Sequence, residues 1–264
     1  MKHISSKRFT MGFTLVELAV ALMVIGLLIG GVLKGRELID NAKITALVRD
    51  IKSYDAAALT FFDRYGALPG DIKNTSLIPN CTSAACNIGG NQNDQVLANT
   101  SLSPMDIERF NFFPHLTKAG FIKGPEGGTV AQINAPWAHY DVLLPRIPFD
   151  IETPYISVSY QGPGAIWPPN IATGHKYMIW FSGELGQQAL VTKIMMQIDQ
   201  KLDDGKPYQG KVMLHQSGND CPVTGANGDG NEISTDADYD ATALSEETNP
   251  YSGILCEMSI HAAF

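Results

Sequence analysis

An apolar run close to the N-terminus constrains the structure of this chain more than any other feature. Residues 13–33 read FTLVELAVALMVIGLLIGGVL, and Glu17 is the one charged side chain among them. As an α-helix this run would be about 31 Å long, enough to cross the hydrocarbon core of a bilayer. The preceding residues 1–12 carry Lys and Arg but no acidic residue. Because basic residues stay on the cytoplasmic side, the pattern predicts one membrane pass with the bulk of the chain exported.

Two other interpretations of this run explain less. A secretory signal peptide has an apolar core of ~7–15 residues followed by a small-residue cleavage site. This run is longer, and no clear A-x-A pattern follows it. A simple membrane anchor leaves Glu17 unexplained, since a carboxylate at the centre of a membrane helix costs at least ~2.5–3.5 kcal/mol. Glu17 is therefore predicted to have a functional partner.

A short motif at the start of the apolar run adds a second constraint. Residues 12–17 read GFTLVE, directly after the basic leader. This arrangement closely resembles the N-terminus of type IV pilins and type II secretion pseudopilins. The resemblance implies that a prepilin peptidase cleaves between Gly12 and Phe13 on the cytoplasmic face and that the new Phe13 amine is methylated. It also implies polymerisation with other pilin or pseudopilin subunits by an assembly motor and platform at the inner membrane.

Within that resemblance, Glu17 has a role that fits its chemistry. A buried carboxylate needs a cationic partner, and the α-amine freed at Phe13 is a cation at neutral pH. Pairing between the Glu17 carboxylate and the Phe13 amine of a neighbouring subunit would neutralise both charges and fix the axial register. The alternative is a pair between Glu17 and Phe13 of the same helix, four residues apart.

The helix is predicted to continue well beyond the apolar run. Apolar side chains recur at alternating steps of three and four residues, the pattern of one buried helix face. They are Ile44, Leu47, Ile51, Tyr54, Ala58, Phe61 and Tyr65. Gly66 and Pro69 then predict the end of the helix. The predicted organisation is a leader over 1–12, a long helix over 13–65 whose membrane and assembly part is 13–33, and a head over 66–264.

The head is predicted to be rich in loops, because Pro, Gly, Asn and Asp are frequent there. Strands are predicted at residues 155–160, 175–181 and 210–214. Helices are predicted at 104–120, with Met105, Phe110, Phe113 and Leu116 facing inward, and at 187–200. The expected fold class is α+β, with the long helix packed on an antiparallel β head.

Three head segments resemble parts of large prepilin-like proteins of proteobacteria. They read YGALPGD at 65–71, FFPHLTKAGFI at 112–122 and IDQKLDDGKPYQG at 198–210. The likeness assigns no chemistry to them. Locally, residues 68–71 and 203–205 are turn formers.

Four cysteines, Cys81, Cys86, Cys221 and Cys256, fall in the part predicted to be exported, where disulfides are expected. Four cysteines allow three connectivities. Proximity favours Cys81–Cys86 and Cys221–Cys256, and the second bond would enclose a C-terminal loop that resembles the disulfide-bounded region of many pilins. A zinc site is the alternative, but the spacing from Cys81 to Cys86 is poor for zinc and no matching second pair exists.

An acidic segment near the C-terminus is a candidate calcium site. Its carboxylates are Asp229, Asp236, Asp238 and Asp240, and oxygen-rich clusters of this kind suit calcium. The segment is not an EF-hand, because Glu232 stands where the loop needs Gly. The simpler interpretation is a solvated acidic loop, although some pseudopilins resemble this chain in having a calcium-stabilised C-terminal loop.

Composition and motifs exclude several functional classes. The 27 acidic residues outnumber the 19 basic ones, for a formal net charge of −8, which argues against a nucleic-acid partner. A hydrophobic fraction of 44% rules out a disordered chain. There is no G-x-S-x-G, H-E-x-x-H, Walker A or G-x-G-x-x-G motif. We therefore expect no enzymatic activity and, calcium aside, no cofactor.

Together these features predict a type IV pilin-like filament subunit of a Gram-negative bacterium. Its precursor would cross the inner membrane once, with the head in the periplasm, before extraction into a periplasmic or cell-surface filament. Two other roles stay open: a minor pseudopilin of a type II secretion system, and a tip pilin for adhesion or DNA uptake. The large head favours a low-copy subunit.

Overall fold

The structure is a computed structural model that describes most of the chain. The described residues are 14–83, 86–96, 107–129, 140–149, 155–159, 177–182, 190–207, 210–215, 223–226, 233–239 and 255–261. The predicted cleavage site at Gly12 and Phe13 lies outside them, as does Met105.

A single long helix, α1, runs over Leu15–Tyr65 and confirms the helix predicted from the sequence. It ends at Gly66, which has a positive φ of 68° and whose N–H donates to the carbonyl of Phe62 at 2.8 Å. Glycine reaches this left-handed conformation without a steric penalty, so it is the usual residue after the last turn of a helix.

The chain divides into two compact units, with the boundary between Lys43 and Ile44. In the first unit, α1 exposes nearly all its apolar side chains between residues 15 and 39. In the second unit, one face of α1 is buried, and it contains Ile44, Leu47, Val48, Ile51, Ala57, Ala58 and Phe61. The predicted apolar stripe is thus a core-forming face, with Tyr54 and Tyr65 partly buried at its margin.

Three further α-helices and one 3₁₀ turn are described in the second unit. They are the 3₁₀ turn Thr75–Leu77, α2 at Ile107–Lys118, α3 at Tyr140–Leu143 and α4 at Thr192–Leu202. In α2, Phe110, Phe113 and Leu116 are buried as predicted. The helix predicted over 187–200 begins only at Thr192, because Leu190 and Val191 pair with a strand instead.

All described strand pairs are antiparallel. The strands are β1 at Tyr155–Ser159, β2 at Met178–Ser182, β3 at Leu190–Val191, β4 at Val212–His215, β5 at Val223–Ala226, β6 at Ile233–Tyr239 and β7 at Leu255–His261. In the main sheet β2 pairs with β1 and β7, and β7 also pairs with β3 and β4. β5 and β6 form a separate pair. The three predicted strands correspond to β1, β2 and β4.

Aromatic side chains join α1 to the rest of the second unit. Tyr54 packs edge-on against Phe113 of α2, with ring centroids 5.2 Å apart. Phe112 contacts Tyr177 at 5.0 Å, just before β2. The Tyr177 hydroxyl donates to Asp55 Oδ1 of α1 at 2.8 Å. A core of mixed helix and strand content therefore forms around the second half of α1.

Candidate functional site

The apolar part of α1 is the most prominent surface that the described residues leave uncovered. Leu15 is 87% exposed and Leu27 is 70% exposed. An 18-residue window of this helix has a mean hydropathy of 2.5 with none of it buried, so it is long and apolar enough to cross a membrane. A signal sequence near an N-terminus meets the same criterion. An apolar surface of this size requires lipid or protein to cover it.

The start of α1 is closed by a capping box that involves Glu17. The Glu17 Oε2 atom accepts hydrogen bonds from the Thr14 backbone N–H at 2.9 Å and from the Thr14 hydroxyl at 2.8 Å. In return, the Glu17 N–H donates to Thr14 Oγ1 at 3.2 Å. This reciprocal arrangement satisfies backbone donors that the first turn of a helix otherwise leaves unpaired.

The capping box gives Glu17 a partner that the sequence predictions missed. The pattern Thr14-x-x-Glu17 ahead of an apolar run is a known signature of this arrangement and was present in the sequence. Since Phe13 lies outside the described residues, its pairing with Glu17, within one chain or between copies, stays a prediction. The structure adds that Glu17 helps to begin its own helix without a second copy.

A second polar cluster attaches the loop of residues 66–96 to α2. Within this loop the buried Asp71 carboxylate accepts three backbone N–H groups, from Gln92 at 2.6 Å, Asn93 at 3.2 Å and Asp94 at 2.8 Å. Burial raises the pKa of Asp71, while these three hydrogen bonds act in the opposite direction. Asp71 therefore holds the two ends of the loop together.

His115 of α2 contacts the same loop at two places. Its Nδ1 accepts the Gly70 N–H at 2.9 Å, so the ring proton is on Nε2, which donates to the Cys86 carbonyl at 2.9 Å. The ring is completely buried, and this burial lowers the pKa of His115 to about 4. With both nitrogens occupied, His115 positions the backbone and has no lone pair left for proton transfer.

Two further buried side chains of α2 hold the loop. Glu108 Oε1 accepts the Asn91 N–H at 3.1 Å, and Asn111 Nδ2 donates to the Ile88 carbonyl at 2.7 Å. The sequence indicates residues 68–71 only as turn formers and gives no role to Glu108 or His115. Nothing in their local sequence distinguishes buried polar residues from solvated ones.

The predicted Cys81–Cys86 disulfide is present beside this cluster. Both sulfurs and a ring nitrogen of His115 lie within 4.8 Å of one another. Because the two sulfurs are bonded to each other, they are not thiolate ligands for a metal in this state. Cys221 lies outside the described residues, and for Cys256 only the backbone in β7 is described. The Cys221–Cys256 bond stays a prediction.

Carboxylates also gather where α4 ends. Oxygens of Asp199, Asp203 and Asp204 lie within 4.8 Å of one another. Asp199 accepts the Gly205 N–H at 3.2 Å, Asp204 accepts the Lys206 N–H at 2.8 Å, and Asp203 accepts the Lys211 N–H. These bonds to the following backbone give the carboxylates a structural role in the turn.

The predicted calcium ligands are described only in part. Asp229 and Asp240 lie outside the described residues, whereas Asp236 and Asp238 are placed on β6 by their backbone alone. The calcium site therefore stays a prediction.

Comparison with models of known protein families, with curated proteins and with solved structures finds no match.

Proposed function

We propose that this protein is a type IV pilin-like filament subunit with an α+β head. The observation that carries the proposal is that one unbroken helix supplies both an uncovered apolar segment and a face of the folded core. A helix of this kind connects a membrane or filament contact directly to the head. The GFTLVE motif at residues 12–17 supports the same assignment.

The proposed assembly begins with a precursor held in the inner membrane by residues 13–33, with its head in the periplasm. Prepilin peptidase removes residues 1–12, and neighbouring copies of α1 then replace lipid as the cover for the apolar segment. The Glu17 carboxylate pairs with the Phe13 amine of an adjacent copy and so sets the axial register. A separate motor and platform supply the work of extraction, since the chain has no nucleotide-binding motif.

A minor pseudopilin of a type II secretion system is the second candidate function. The size of the head favours it, because residues 66–264 include seven described strands and an extended loop attached to α2. A bulky head suits a subunit present in few copies. Among the described head residues, the buried Asp71, Glu108 and His115 all hold backbone groups, which supports a structural role for these three side chains.

The first test is the N-terminus of the protein purified from membranes of a Gram-negative host that has a prepilin peptidase. Mass spectrometry is expected to show a chain that begins with N-methylated Phe13. The same protein from a peptidase-deficient strain is the control and is expected to begin at Met1. An untrimmed start in the peptidase-containing host would contradict assembly by this route.

The second test separates the two roles of Glu17. Thr14→Ala removes the two capping hydrogen bonds of the Thr14 hydroxyl but keeps the carboxylate, at a cost of about 1 kcal/mol to the helix start. Glu17→Ala removes the two capping hydrogen bonds that the carboxylate accepts, together with the proposed partner of the Phe13 amine. We expect both variants to be exported and trimmed, and only Glu17→Ala to lose filaments in electron micrographs. Equal filament yields from the two variants would contradict intersubunit pairing through Glu17.

A further inference from the structure

We propose that the Cys81–Cys86 disulfide is a redox-sensitive switch that controls whether the loop of residues 66–96 docks on α2. The inference depends on the proposed function only in that export would bring the chain to an oxidising compartment. The geometry of the switch is independent of that function.

The docked loop depends on hydrogen bonds rather than on regular structure. Apart from the 3₁₀ turn, its described residues form no helix or strand. Even so, Leu68, Ile72 and Cys86 are buried. Their burial requires the backbone contacts with Glu108, Asn111 and His115 of α2, because a buried backbone without partners is costly.

Cys86 takes part both in the disulfide and in the contacts with α2. Its side chain is bonded to Cys81, while its carbonyl accepts the Nε2–H of His115. The other nitrogen of His115 holds Gly70, in the first part of the loop. A displacement of Cys86 therefore changes its hydrogen bond to His115, the side chain that links both parts of the loop to α2.

Breaking the disulfide has two physical effects on the loop. Two thiol sulfurs require van der Waals separation, so reduction moves the Cys81 and Cys86 side chains apart, and Cys86 is fully buried in an interior that has little free volume. Opening the small ring also restores chain entropy, which raises the population of the undocked loop roughly 30-fold on the loop-closure relation.

The chemical step is thiol–disulfide exchange with a dithiol reductant. Cys81 is partly exposed whereas Cys86 is fully buried, so a thiolate of the dithiol attacks the Cys81 sulfur and Cys86 leaves as a thiolate. The second thiol of the reductant then attacks the mixed disulfide. The reductant loses two electrons and becomes a disulfide, while Cys81 and Cys86 gain two electrons and two protons as thiols. Oxidation reverses each step.

The experiment uses the full-length chain in detergent micelles, in a Cys221→Ser/Cys256→Ser background that leaves Cys81–Cys86 as its one disulfide. Hydrogen exchange is followed before and after dithiothreitol, with mass spectrometry to verify two free thiols. We expect the amides of Gly70, Gly90 and Gln92 to exchange roughly 10- to 100-fold faster on reduction. The protection of amides in residues 44–65 should change less than about twofold, and reoxidation should restore the protection of the loop amides.

A second variant controls for the reagent. Cys81→Ser/Cys86→Ser in the same background should show fast loop exchange without dithiothreitol and no further change with it. Unchanged loop protection after verified reduction would overturn the switch, and so would an equal loss of protection in α1. Neither result bears on trimming at Phe13, so a failure here is distinct from a failure of the proposed filament function.

Discussion

At the residue scale, three polar side chains are buried because each satisfies backbone groups that would otherwise lie unpaired. Asp71 accepts three N–H groups, Glu108 accepts one, and His115 connects Gly70 to Cys86. Hydrogen bonds to buried backbone are costly to lose, since the orphaned group cannot recover a bond to water. These residues therefore act on stability, and His115 makes that stability depend on pH.

Folding is expected to weaken as the pH falls from about 6.5 to about 4 because of His115. Burial lowers its pKa to about 4 in the folded chain, so the unfolded chain binds more protons across this interval. Stability from neutral His115 is thus fully present above pH 6.5 and lost as the pH approaches 4, by roughly 3 kcal/mol at most. Urea unfolding at several pH values measures this loss.

The matched control for this prediction is His115→Gln, whose amide can accept from Gly70 and donate to Cys86 without titrating. The raised pKa of Asp71 acts in the opposite direction in both proteins and cancels in the comparison. The difference in unfolding free energy between wild type and His115→Gln should shrink as the pH falls. A difference in unfolding free energy that is constant from pH 4 to 7 would contradict the pH dependence assigned to His115.

At the element scale, backbone segments approach so closely that glycine is required, both within the loop of residues 66–96 and between this loop and α2. A Cβ on Gly90 would lie 2.5 Å from Asp71 Cα and 2.6 Å from the Gly70 carbonyl oxygen. Gly70 itself has a φ of 87° and lies against the carbonyl of Glu108. The segment around LPGD is therefore a backbone-packing motif as well as a turn.

Gly90→Ala is expected to destabilise the second unit by about 1–3 kcal/mol, since both near atoms belong to the backbone and cannot rotate away. The control is Gly35→Ala in α1, where an added Cβ meets no atom within 4 Å. Thermal unfolding followed by near-ultraviolet circular dichroism should show a lower Tm for Gly90→Ala and no decrease for Gly35→Ala. Equal Tm values would show that the loop does not pack as described.

At the scale of the whole molecule, α1 contributes residues to two units with opposite surface chemistry. In the first unit its apolar side chains are exposed, and in the second unit one of its faces is buried. Hydrophobic burial favours any environment that removes the exposed area from water. The exposed apolar segment of α1 should therefore enter a membrane wherever no other protein covers it.

Wild-type protein is expected to stay in the membrane pellet after alkaline carbonate extraction. Leu22→Glu/Leu27→Glu should move it to the supernatant, because each charge at the centre of a membrane helix costs ~2.5–3.5 kcal/mol. Leu59→Glu/Leu77→Glu is the control, since both leucines are exposed in the second unit, and it should stay in the pellet. Release of the wild type would contradict a membrane-spanning role for α1.

Local patterns in the sequence determined α1 and part of the main sheet, but they did not predict β3, β5, β6 or β7. The apolar run, the three-and-four spacing and Gly66 set α1, because helix periodicity and helix ends depend on residues a few positions apart. Alternation located β1, and proximity identified the Cys81–Cys86 bond. The capping box at Thr14 and Glu17 was equally local and was available from the sequence.

Only the tertiary structure decided which polar residues are buried. Gly70 and His115 are 45 positions apart, and Asp71 meets Gln92 across 21 positions. No periodic pattern extends over such separations, so the sequence alone could not distinguish these side chains from solvated ones. Their roles follow from the close approach of loop 66–96 to α2, where backbone groups lose access to water and must find partners inside the protein.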